Sequence, residues 1–175
     1  MKGSLALVLS LAAAFARAAE IVISATDGSV AYAPTPGDNS WGAIRAPGAL
    51  NGGEGAFLLG QNDKGKIQIS PTQPFTGFRF FGWQRSDGGI YQITFDGARA
   101  ARIDVFNKAS DGAATPMELF KIDGLRNTRH VVEIVNLNDT RTPRGYGQMN
   151  CESASVYNWS KRILICENFQ STMLF

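Results

Sequence analysis

The chain has 175 residues, room for one domain of ordinary size. Its 17 bases against 15 acids give a formal charge of +2, which supplies no electrostatic reason to bind nucleic acid or acidic membranes. Two cysteines make no disulfide scaffold, so a hydrophobic core must carry the fold.

Residues 1–19 read as a secretory signal peptide. Lys2 gives the positive start, an apolar run extends from Leu5 to Phe15, and Ala16-Arg17-Ala18 supplies a small-x-small cleavage pattern, with Ala19 as an alternative end. The run is shorter than the ~20 apolar residues a spanning helix needs, and no second one follows. Removing it takes away Lys2 and Arg17 and leaves 15 bases against 15 acids. The expected organisation is a leader over 1–19, a β-sandwich domain over 20–159, and a tail of uncertain structure over 160–175.

Past the leader, short strand-like runs alternate with turn clusters, and no longer stretch holds a helical period. Strands are expected at Glu20–Ala25, Ala56–Gly60, Lys66–Ile69, Phe75–Trp83, Gly89–Phe95, Arg102–Asn107, Glu118–Ile122, His130–Asn136 and Cys151–Tyr157. The segment from Tyr32 to Asn39 is turn-rich. Asp96-Gly97 is a hairpin signal, and Asp123-Gly124-Leu125 reads as a turn. Alternation puts Phe78 and Phe80 on one face, with Arg79, Phe81 and Trp83 on the other. Tyr91, Ile93 and Phe95 form an apolar face, and Val132 and Ile134 point inward. The fold class is therefore all-β, a two-sheet antiparallel β-sandwich.

Phe75-Thr76-Gly77-Phe78-Arg79-Phe80-Phe81-Gly82, Gly89-Ile90-Tyr91-Gln92-Ile93-Thr94-Phe95-Asp96-Gly97, Leu119-Phe120, Asp123-Gly124-Leu125, His130 to Asn136 and Met149 to Val156 follow one another in a recognisable order. Together they resemble the galactose-binding-like jelly-roll domains of many secreted fungal proteins and bacterial carbohydrate-active enzymes. Val30-Ala31-Tyr32 and Ser40-Trp41 fit that family's opening strand and early tryptophan. Two departures stand out. Glu152 is the nearest equivalent of the acid usual in the closing strand, and Lys161 to Phe175 has no counterpart. The resemblance implies a non-catalytic carbohydrate-binding protein, acting at a cell wall or on an extracellular polysaccharide.

Catalytic motifs are missing. His130 is the one histidine, without partners at triad or ligand spacing, and reads as structural. The acids Glu54, Asp63, Asp87, Asp96, Glu118, Glu133 and Glu152 are the candidates for a glycoside-hydrolysing pair, and most fill turn positions. Rings beside glycine-containing loops are the sharper signal, because sugars stack apolar faces on aromatic rings while nearby polar groups bind their hydroxyls. The candidate glycan-binding set is Trp83 with Arg85 and Asp87, Trp41 with Asn39, and Tyr146 with Arg144. For each ring the competing reading is a plug in the end of the core. No cofactor is called for. Asp27-Gly28 and Asn62-Asp63 could hold a structural calcium, without the spacing of a dedicated loop.

Asn138-Asp139-Thr140 and Asn158-Trp159-Ser160 are glycosylation sequons. Cys151 and Cys166 either close one short disulfide loop or stand as a small core residue and a free thiol. The alternatives to a glycan binder are a structural or adhesion protein that docks another protein on Phe81, Val131 and Val135, and a small glycoside hydrolase with two of the acids above in a cleft. The sequence does not set an oligomeric state.

Overall fold

Period-two alternation builds two inner faces, and their side chains interdigitate. The computed structural model describes residues 19–33, 41–44, 56–59, 65–110, 115–142 and 145–158. The described strands are β1 (Glu20–Ser24), β2 (Val30–Ala33), β3 (Trp41–Ile44), β4 (Ala56–Leu59), β5 (Lys66–Ile69), β6 (Phe75–Gly82), β7 (Ile90–Phe95), β8 (Ala98–Asp104), β9 (Met117–Thr128), β10 (Val132–Leu137), β11 (Met149–Cys151) and β12 (Ser153–Tyr157). One sheet has the order β1-β12-β6-β9, a second β2-β5-β10-β7-β8, and a small third β11-β4-β3. Every ladder is antiparallel. Among the described residues no helix is long and apolar enough to cross a membrane.

The expected core faces are the real ones. Phe78 and Phe80 of β6 and Tyr91 and Ile93 of β7 are fully buried, as are Val132 and Ile134 of β10. Phe78 meets Phe95 edge-on across the two main sheets, with ring centroids 5.5 Å apart. Gly77 is required on the outer face of β6 because the Tyr157 ring lies where a Cβ would stand. The guanidinium of Arg79 covers the same ring at 5.2 Å, and the Tyr157 hydroxyl donates to Asp123 at 2.5 Å.

Asp96-Gly97 does make the β7–β8 hairpin, with positive φ at both residues (52° and 79°). The Asp96 carboxylate then does a second job. It lies 2.6 Å from His130 Nδ1 and accepts the Val131 N–H at 2.9 Å, while His130 Nε2 faces the Arg126 carbonyl at 2.7 Å. His130 is buried and packs edge-on against Phe75. The bond to His130, then the Val131 amide, holds the Asp96 carboxyl below its ordinary pKa. A depressed carboxylate pKa stabilises the fold above the ordinary carboxylate range, and that stabilisation is lost as pH falls through the folded-state value. Asp96→Asn is therefore expected to lower the melting temperature at neutral pH and to flatten its acid-side pH dependence. Parallel melting curves from neutral to acid pH for parent and variant check this.

Three expectations need correction. The predicted strand Arg102–Asn107 lies earlier, as β8, because the Asp96-Gly97 hairpin leads straight into it. The predicted turn at Asp123-Gly124-Leu125 lies inside β9. Gly124 adopts a φ of 77°, and the register against β6 slips between Phe75 and Gly77, so the glycine serves a bulge and not a chain reversal. The closing strand divides into β11 and β12 at Glu152, whose N–H bonds the Phe81 carbonyl at 3.1 Å. Of the two readings of the cysteines, the core one fits Cys151, which is free and buried in the core, where burial pushes its pKa up to about 12. Cys166 lies outside the described residues, as do positions 1–18, 34–40 and 159–175.

Candidate ligand-binding end of the sandwich

The strand β6 ends at Gly82, where a side chain would run into Asn150. Asn150 is fully buried, and its amide treats the next residue as a strand neighbour would. Its Oδ1 accepts the Trp83 N–H at 2.8 Å and its Nδ2 donates to the Trp83 carbonyl at 3.1 Å. The backbone N–H of Asn150 donates to the Tyr91 hydroxyl at 3.1 Å, and that hydroxyl donates to the Gln148 carbonyl at 3.0 Å. Burial raises the Tyr91 phenol well above its ordinary pKa, which keeps it a donor.

Three loops are laced together beyond this node. The turn from Arg85 to Gly88 closes with a 3.0 Å bond from the Gly88 N–H to the Arg85 carbonyl. It lies against segment 105–110 through Arg85 N to Val105 O at 2.9 Å and Asn107 N to Arg85 O at 2.8 Å. On its other side Gln148 N donates to Asp87 O at 2.6 Å, and Gly89 and Gly147 touch backbone to backbone, so neither tolerates a side chain. Asn138 and Tyr146 bridge the base of the third loop.

Two charged clusters in these loops are paired. Arg85 forks onto Asp87 at 2.7 and 3.2 Å. Arg141 grips the buried Asp139 at 2.6 Å and the exposed Asp104 at 2.8 Å, and lies 4.7 Å over the Phe106 ring. Its hydrogen bonds are the main reason both carboxyls sit below their ordinary pKa. Phe106 and Tyr146 are half-buried rings at this end of the sandwich.

The structure thus gathers Arg85, Asp87 and Tyr146 at one end. It also brings the backbone of Trp41 near, since Trp41 pairs with Leu59, and Leu59 pairs with Met149. Asn39 and Arg144 lie outside the described residues. Trp83 requires a correction: it is only 3% exposed and presents no free ring face. Alternation stops applying once β6 ends at Gly82, and the Asn150 clamp on both Trp83 backbone groups holds it under the loops. Phe106, Arg141 and Asn150 were missed, because only pairing distant in sequence brings them here. A half-apolar Asp-Val-Phe-Asn run before a turn was the one local hint of Phe106.

The acids considered for hydrolysis are engaged elsewhere. Asp87, Glu118 and Glu133 pair with Arg85, Arg79 and Lys66, Asp96 holds His130, and Glu152 is buried against the Ser153 hydroxyl. Glu54 and Asp63 lie outside the described residues, together with the calcium candidate Asn62-Asp63. Asp27, the other calcium candidate, caps its own turn through the Ser29 N–H and hydroxyl at 2.8 and 2.7 Å.

No family model and no curated protein matches the sequence. Solved structures do resemble the fold. A family 35 carbohydrate-binding module from Clostridium thermocellum superposes with a TM-score of 0.55 at 13% identity, over 81% of this chain and 99% of that one. A two-domain esterase active on acetylated mannans, co-crystallised with mannopentaose, gives 0.50 at 12% identity, over 81% of this chain and 37% of the esterase. The fold is a β-sandwich jelly roll of the kind found in these structures. Identity at this level establishes the architecture of the jelly roll and not its ligand.

Proposed function

We propose that this chain is a secreted, non-catalytic carbohydrate-binding domain that acts at a cell wall or on an extracellular polysaccharide. The observation that carries the reading is the convergence, at one loop end of a jelly roll, of half-buried Tyr146 and Phe106 with the charged pairs Arg85–Asp87 and Arg141–Asp104. Rings that keep part of a face in solvent stack on sugar C–H surfaces, and side chains already fixed by ion pairing lose little entropy when they bind hydroxyls. The likeness to a carbohydrate-binding module supports it. Residues 1–19 act as a leader removed on export. Asn138, exposed at a loop base, is the better glycan acceptor, since Asn158 already donates to the Pro74 carbonyl at 3.2 Å.

The test uses exported protein, whose intact mass should lack the leader, on an array of plant, fungal and bacterial glycans. A hit is then titrated calorimetrically. Tyr146→Ala should weaken binding several-fold, the worth of about 1 kcal/mol of stacking, with an unchanged melting curve. Undiminished binding by Tyr146→Ala removes the loop end from consideration. If no glycan binds, the reading as an adhesion protein replaces it. Of that reading's three apolar positions Val131 is exposed, at 39%, and Phe81 and Val135 are half-buried.

A further inference from the structure

The strand β9 stands at the end of its sheet. It pairs with β6 on one side, and among the described residues no strand pairs with the other. It is the longest described strand, at 12 residues. Its apolar side chains are poorly covered: Met117 is 46% exposed, and Leu119, Phe120, Ile122 and Leu125 pack on the core yet stay half-buried. A bare, apolar strand edge of this length is a template for another strand unless something blocks it.

The sequence of the edge is complementary to itself when reversed. Around Ile122 it reads Glu118-Leu119-Phe120-Lys121-Ile122-Asp123-Gly124-Leu125-Arg126. We infer that this chain pairs with a second copy of itself along β9, antiparallel, about a two-fold axis at Ile122. In that register Lys121 faces Asp123 of the second copy, and the reverse pair repeats it. Lys121 and Asp123 both lie on the outer sheet face and are 3.1 Å apart within one chain, so the axis gathers two cations and two anions in alternation. On the inner face the half-buried Ile122 sits on the axis and meets its own copy.

Bulges flank the pairing stretch, where the β6 register slips beside Leu119 and again beyond Asp123. They bend the edge away on both sides, so indiscriminate strand addition is blocked while a short two-fold pairing fits. Because the contact is isologous it closes on itself as a dimer and does not propagate. The short ladder makes the dimer a weak, concentration-dependent one.

Sedimentation equilibrium or light scattering over a concentration series, on the exported protein, reads the result directly. The parent should pass from monomer to dimer as concentration rises. Lys121→Asp and Asp123→Lys each set like charges across the axis twice and should raise the dissociation constant about tenfold or more. The double variant carrying both changes restores opposite charges and should dimerise as the parent does. Far-UV circular dichroism confirms that each variant is folded, and the double variant protects the comparison against a loss of the Asp123–Tyr157 bond. A parent that stays monomeric at millimolar concentration overturns the inference. So do single variants that dimerise like the parent, or a double variant that does not recover.

Discussion

Phe80→Ala should destabilise the protein by about 3–5 kcal/mol, a fall in melting temperature of roughly 10 °C or more for a chain of this size. Phe80 has no exposure and sits mid-strand in β6, between Ala154 of β12 and Phe120 of β9. Ladders on both sides hold the backbone, so the site cannot collapse into the space the ring leaves. The cost therefore includes the cavity as well as the lost burial. Calorimetric melting of the variant measures it. An unchanged midpoint would show that the inner face of β6 has been assigned wrongly.

The second large effect belongs to Asn150. Asn150→Ala removes the partner of both Trp83 backbone groups and strands a buried N–H and a buried carbonyl. Each orphaned group costs about 1–3 kcal/mol. Asn150→Asp keeps the acceptor for the Trp83 N–H, loses the donor for its carbonyl, and places a carboxyl in a buried site. It should be at least as damaging. These variants differ from Phe80→Ala in where the damage appears. Asn150 ties the end of β6 to the third loop, so Asn150→Ala should also weaken the proposed glycan binding under conditions where the protein is still folded. Hydrogen exchange should show earlier loss of protection at Trp83 to Gly89 than in β7 or β10. Equal loss everywhere would mean that the node supports the whole sandwich and not the loop end.

Much of the fold is legible in the sequence because its central strands bury one face and alternate cleanly. Phe78 and Phe80, Tyr91 and Ile93, and Val132 and Ile134 each identify an inner face by position alone, and Asp96-Gly97 marks its hairpin because only small or permissive residues accept two consecutive positive φ values. Legibility fails where a residue's role depends on a partner far along the chain. Asp123-Gly124 has the local chemistry of a turn, and only pairing with β6 makes it part of a long edge strand. Trp83 looks like a loop ring because its clamp, Asn150, lies 67 residues away. Sequence separation also hides Phe106, whose bridge reaches back to Arg85 across the β7–β8 hairpin.

The pairing of β1 with β12 also governs the order in which the molecule can form. Ser155 and Glu20, bonded at 2.6 Å, are 135 positions apart. The β7–β8 hairpin, by contrast, closes over a two-residue turn and can form within microseconds. The first strand therefore waits unpaired for the last, and contacts of such long range place folding in the slow regime typical of all-β sandwiches. During that wait the Cys151 thiol, shielded in the finished core, is open to solvent and to oxidants. If the chain is exported as proposed, it folds among oxidants and passes through a vulnerable interval that ends only when β12 docks beside β11.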